Sequence, residues 1–143
     1  MIHRRIRAVM AATAIVFVLA VPGAVSAAGK TVITVNSFAN ETFTATGGVV
    51  CPSGTATTDF KGFGGGPVAG SFHLTKTLVC ADASGSFTIE VNAATVFGSP
   101  TDQGGWAVLS GTGAYGTLRG GGNLVGTYVP DGIIDVYTGS LTR

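Results

Sequence analysis

The side chains in this sequence with types suited to chemistry are few: His73, Glu90, Lys76 and the pair Cys51 and Cys80. Three of them fall in one stretch. Ser71–Cys80 (SFHLTKTLVC) and Gly85–Phe97 (GSFTIEVNAATVF) alternate apolar and polar residues, and Ala81–Ser84 between them reads as a four-residue hairpin loop. That loop sets a register in which Leu78 faces Phe87, Lys76 faces Ile89 and Leu74 faces Val91 on one side. On the other side Thr77 faces Thr88, Thr75 faces Glu90 and His73 faces Asn92. His73 then lies diagonal to Glu90, and a histidine beside a carboxylate can do general acid–base work. The same alternation equally describes a solvated outer face with no chemistry. Lys76 falls among apolar side chains. Either its stem covers apolar surface while its ammonium reaches water, or it is an interior lysine with a ligand or a carboxylate partner.

Cys51 and Cys80 are the only cysteines. In an exported protein an even count reads as a disulfide. A loop of about 30 residues closed this way is worth roughly 3 kcal/mol by the chain-entropy argument. Two free thiols or a redox pair are the alternatives, but no C-x-x-C spacing is present.

Other chemistries lack their residues. Gly111-Thr112-Gly113 and Gly120-Gly121-Gly122 are not followed by the lysine a phosphate loop needs, and no strand–turn–helix context exists for a dinucleotide fingerprint. These glycines read as tight turns and close strand crossings. One histidine beyond the N-terminal segment, two paired cysteines and scattered acids make no metal set. No serine sits in G-x-S-x-G. No cofactor and no metal are therefore expected.

The elements that must position these groups begin after a targeting segment. Arg4, Arg5 and Arg7 precede an apolar run from Ala8 to Val21. That run is shorter than the roughly 18–20 residues of a spanning helix. Pro22-Gly23 breaks it, and Val25-Ser26-Ala27 fits a signal-peptidase site. Cleavage is expected after Ala27, with Ala28 the neighbouring choice and an uncleaved anchor the alternative. No cysteine lies near the site, which excludes a lipoprotein anchor. Residues 1–27 are thus read as a signal peptide and 28–143 as one exported domain, with no membrane span after cleavage and a secreted, extracellular destination. The eight basic residues of the chain, less Arg4, Arg5 and Arg7, leave five against seven acids. The formal charge of the mature chain is −2. No clustered basic patch remains, so nucleic acid is not an expected partner.

The mature chain is rich in Gly, Thr and Val, which disfavours helices. Further strand runs are Thr31–Ser37, Glu41–Cys51 with a bulge at Gly47-Gly48, Gly105–Ser110, Asn123–Val129 and Gly132–Leu141. Phe60–Gly66 (FKGFGGG) reads as a flexible loop, Ser99–Gly104 as a turn, and Pro130-Asp131-Gly132 as a turn with Pro presetting φ. Seven or eight short strands imply an all-β fold, an antiparallel barrel of about eight strands, with a β-sandwich as the alternative. Closure is favoured because few charges are available to protect open edges.

The stretch Trp106–Leu141 resembles the C-terminal part of the dirigent and allene oxide cyclase barrels. The residues that carry the resemblance are Gly111, Thr112, Gly113, Tyr115, Arg119 and Gly120: a strand ending in G-T-G, an aromatic two residues on, and a Gly-containing turn into the next strand. The whole chain is also similar to small secreted proteins of uncharacterised function from high-GC Gram-positive bacteria, through the two cysteines and the turn Cys80, Ser84, Gly85, Phe87. The resemblance implies an eight-stranded antiparallel barrel with a central apolar cavity and no cofactor. Members of those barrel families control the stereochemistry of a reactive small molecule, but their acid and aromatic positions find no matching motif here.

Three functions are compatible with these readings. The first is a secreted barrel that binds a small apolar ligand or presents its surface to a cell-envelope partner. The second is a cofactor-free cyclase or isomerase with His73, Glu90 or Lys76 as the acid–base group. The third is a structural protein whose barrel is solid. The interior decides among them: a packed core removes the first two, an ionisable group in a cavity favours the second, and a dry apolar cavity favours the first.

Overall fold

A computed structural model describes residues 28–143; residues 1–27, where a signal peptide is expected, lie outside the described residues. Period-2 alternation produces eight strands: β1 (Gly29–Ser37), β2 (Thr42–Thr46), β3 (Ser53–Gly65), β4 (Ala69–Cys80), β5 (Gly85–Val96), β6 (Thr101–Gly113), β7 (Arg119–Val129) and β8 (Gly132–Thr142). Each pairs antiparallel with the next, and β8 returns to β1, closing the barrel. Closure gives every strand two neighbours, so no strand is an edge strand. The expected all-β antiparallel barrel is present and the sandwich alternative is set aside.

The β4–β5 register is the expected one. Leu78 faces Phe87, Lys76 faces Ile89, Leu74 faces Val91 and His73 faces Asn92. Leu74, Lys76, Leu78, Phe87, Ile89 and Val91 are buried inside. On the outer face the Thr77 and Thr88 hydroxyls meet at 3.1 Å, a cross-strand pair.

Three expectations are corrected. Phe60–Gly66 is not a loop: β3 runs through it to Gly65, which pairs with Gly70 of β4. The ladder offered by a long β4 overrides the weak strand preference of glycine, and a bulge between Phe60 and Gly62 takes up the irregularity. Glu41–Cys51 is not one bulged strand, since β2 stops at Thr46. Gly47 and Gly48 take φ of +100° and +71° there. A Cβ on Gly47 would lie 2.1 Å from the Lys30 carbonyl oxygen, so a side chain has no room at this bend. Finally, the expected turn Ser99–Gly104 is mostly strand, because β6 starts at Thr101.

Alternating connections divide the barrel into two ends. One end carries the β2–β3, β4–β5 and β6–β7 connections and is plugged. The Cys51–Cys80 disulfide spans it, joining residues 29 apart in sequence. Phe43 and Phe87 pack edge to face at 6.2 Å, and Phe87 packs on Tyr115 at 5.6 Å. Leu78, Leu118 and Leu141 complete the fully buried filling. The other end carries the turns that follow β1, β3, β5 and β7, and is open. Between them Trp106 and Tyr137 form a T-shaped pair at 6.0 Å.

Candidate functional site

Inward positions near the open end are not uniformly apolar. Lys76 on β4 is 1% exposed, Asp102 on β6 is 2% exposed and Asp135 on β8 is 6% exposed. Their strands place them there by parity: Lys76 is in phase with Leu74 and Leu78, and Asp135 is in phase with Tyr137 and Leu141.

The Lys76 ammonium reaches across the lumen. It donates to Ser37 Oγ on β1 at 2.6 Å and to Thr58 Oγ1 on β3 at 2.9 Å, and lies 3.2 Å from Asp135 Oδ2. Two of the three ammonium donors thus bond hydroxyls, and the charge is paired with Asp135. Asp135 Oδ2 also accepts from Ser37 Oγ at 2.7 Å and from the Tyr137 hydroxyl at 3.3 Å. Burial, reinforced by the neighbouring Asp135 charge, pushes the Tyr137 hydroxyl pKa well up, which keeps it a donor. Among the described residues no buried side-chain nitrogen or oxygen lacks a hydrogen-bond partner. A buried pair is tolerable only when so satisfied.

Asp102 completes a row across three strands. It faces Gly126 of β7, which in turn faces Asp135. A Cβ on Gly126 would lie 2.3 Å from Asp102 Oδ1 and 3.0 Å from Asp135 Oδ1, so the glycine makes room for two carboxyl groups side by side. Asp102 Oδ1 accepts the Gly126 N–H at 3.1 Å. Burial holds the Asp102 carboxyl above the ordinary carboxylate range; the Tyr128 hydroxyl opposes this, and the Asp135 charge adds to it. Burial likewise raises the Tyr128 hydroxyl.

These groups form the floor of a cavity of about 180 Å³. Its walls are Phe72, Leu74, Val91, Leu124, Ile133 and Tyr137, and its mouth is formed by Phe38, Phe60 and Tyr128. Phe38 and Phe60 are more than half exposed, so the cavity reaches solvent. Phe38 adopts φ +65° in the β1–β2 connection, and its ring centroid lies 6.0 Å from the Lys76 ammonium. The barrel is therefore not solid throughout.

The other sequence-selected residues lie elsewhere. His73 and Glu90 are on the outer face. His73 lines a shallow groove with Asn92 and Gln103, and Glu90 accepts from the Asn92 amide at 3.2 Å. Lys76 is the interior lysine with a carboxylate partner, not the snorkelling one. The turn motif sits at the plugged end: Gly111 and Gly113 flank Thr112 at the end of β6, Tyr115 is buried, and Arg119 and Gly120 open β7. The Tyr115 hydroxyl meets Ser84 Oγ at 3.0 Å. Cys51, Cys80 and Asp82 cluster within 4.8 Å, but the two sulfurs are bonded to each other and offer no thiolate.

Sequence reasoning missed Asp102, Asp135, Ser37 and Thr58. Lys76 carried the available signal, since a lysine on an apolar face requires a carboxylate somewhere opposite.

The fold and the site define a small closed β-barrel with an apolar-walled cavity over a charged floor. No protein-family model matches the chain, and no curated protein or solved structure matches it. The architecture implied by the resemblance to dirigent and allene oxide cyclase barrels is present, and the likeness extends no further than that.

Proposed function

We propose that this protein is an exported barrel that binds a small, largely apolar molecule in the cavity at its open end. The observation that carries this reading is the cavity itself: about 180 Å³, aromatic at the mouth and lined along the walls by aliphatic and aromatic side chains. An apolar cavity of roughly 150 Å³ accommodates benzene, so the expected occupant has one ring or an equivalent short chain. The polar floor orients one functional group of that occupant.

Amide chemical shifts test this with benzyl alcohol as the probe. Shifts confined to Leu74, Val91, Leu124 and Ile133 support it, and so does their loss in Leu124→Trp, which fills the space. Shifts absent, or spread evenly over the barrel, overturn it. Native mass spectrometry of protein taken from the culture medium of its own host would then identify the natural occupant.

The raised Asp102 carboxyl favours a second reading, a cofactor-free isomerase or cyclase. A carboxyl whose acidity burial has weakened is better matched as a proton donor to a carbonyl or alkene. In this reading the acid–base group is Asp102 rather than His73 and Glu90 on the outer face or the ion-paired Lys76.

A further inference from the structure

The occupant's chemistry can be narrowed by asking which floor group has capacity left. Lys76 has little: it donates to Ser37 and Thr58, and its charge is paired with Asp135. An anionic ligand would therefore have to compete with Asp135 for the ammonium. Asp135 Oδ2 accepts from the Ser37 and Tyr137 hydroxyls and is ion-paired with Lys76. Asp102 differs. It accepts one backbone N–H, through Oδ1, with the Tyr128 hydroxyl beside it. Among the described residues, ion pairs join Lys61 to Asp59 and Lys76 to Asp135, and none involves Asp102. With both acids ionised, the floor carries two negative charges against one positive charge.

Above this excess carboxylate stand aromatic side chains. Phe38, Phe60, Phe72, Tyr128 and Tyr137 all line the cavity. Ring faces attract cations, most strongly where water is excluded. The ring of Phe38 already lies near a cation, 6.0 Å from the Lys76 ammonium.

We propose that the cavity selects organic cations: a primary or quaternary ammonium carried on a small apolar body, its charge held by Asp102 and its surroundings aromatic. This rests on the reading of the cavity as a ligand site and names the ligand class. The arriving cation neutralises the odd carboxylate, so binding and ionisation of Asp102 are linked. Asp102 is faced by Asp135 and Tyr137 from β8, Tyr128 from β7 and Lys76 from β4. Asp135 is balanced by Lys76, and the hydroxyls of Tyr128 and Tyr137 are held up by burial. The group proposed to titrate against the ligand is Asp102, whose carboxyl burial holds up.

The experiment compares benzylamine with benzyl alcohol, near-isosteres that differ in charge, by calorimetry on the 28–143 chain with its disulfide intact. Benzylamine is expected to bind on the order of tenfold more tightly near neutral pH. Its affinity should weaken as pH falls from about 8 to about 4, while that of benzyl alcohol stays level. Two buffers of different ionisation enthalpy should reveal proton release on amine binding. Asp102→Asn should bring the amine down to the alcohol's affinity. Equal affinity of the two probes in the wild-type protein overturns the cation inference and leaves the ligand-site reading standing. Binding of neither overturns both. A preference for benzylamine that persists in Asp102→Asn overturns the role of Asp102.

Discussion

The two ends of this barrel solve the same problem in opposite ways. Both must finish a column of inward-facing side chains. At the plugged end the column is closed by apolar bulk and a covalent bond: Phe43, Phe87, Tyr115, Leu118 and the Cys51–Cys80 bridge. At the open end the column stops short, leaving a cavity whose floor is Lys76, Asp102 and Asp135 beneath an aromatic mouth. Burying those charges costs solvation that apolar side chains would not have lost. A region that accepts such a cost while the opposite end avoids it is the part of the molecule where function is to be sought.

The largest expected effect comes from breaking the open end's charge balance. Lys76→Met keeps the volume and removes the cation, leaving two adjacent carboxyls without one. Loss of one partner from a buried pair costs about 3–5 kcal/mol, readable as a lower urea midpoint. Acid should narrow the deficit, because protonating Asp102, whose carboxyl burial holds up, removes one of the uncompensated charges. A midpoint within error of wild type at neutral pH would show that the floor is hydrated and that the contrast between the ends has been overstated.

The plugged end is expected to yield somewhat less. Replacing Cys51 and Cys80 together by serine releases a loop of 29 residues' separation, a loss of about 3 kcal/mol. The double variant should nevertheless keep the cavity, since the bridge lies at the far end. Benzyl alcohol shifts at Leu124 and Val91 test that independence. If they disappear while the barrel remains folded, the two ends are coupled and the comparison fails.

The same contrast explains what could be read in advance. The β4–β5 hairpin was legible because one face is apolar and a slip of one residue would expose all of it. β3 was not, because its inward positions are Gly54, Ala56, Thr58 and Phe60, too small and mixed to show a period. The plugged end follows from cysteine parity and bulky side chains, which announce themselves locally. The charged floor does not, because its members come from β1, β3, β4, β6 and β8 and meet only through closure. Lys76 stood out by its apolar neighbours. Asp102 was hidden in what reads as a Ser-Pro turn, and in GIIDVYTGSL both faces carry apolar residues, so alternation does not say which way Asp135 points.

The finest test sets one carboxyl from each end against the other. Asp82 lies in the exposed β4–β5 turn, where the Ser84 hydroxyl at 2.6 Å and the Ser84 N–H at 3.0 Å favour its charged form and hold its pKa down. Asp102 is held up, chiefly by burial. A depressed group contributes stability above its unfolded pKa, and that contribution is lost as pH falls through the folded value. A raised group does the reverse: its contribution is complete below the unfolded pKa and lost as pH rises through the folded one. Asparagine does not titrate, so each variant exposes its own term. Relative to wild type, Asp82→Asn should lower the melting temperature slightly near neutrality, with the gap closing in acid. Asp102→Asn should match or exceed wild type near neutrality and lose that advantage in acid, because there the wild-type carboxyl is also neutral. The two difference curves against pH should therefore have opposite signs. Curves of the same sign would mean that Asp102 is stabilised as a carboxylate in the empty barrel, and the odd charge on the floor would no longer distinguish the open end from the plugged one.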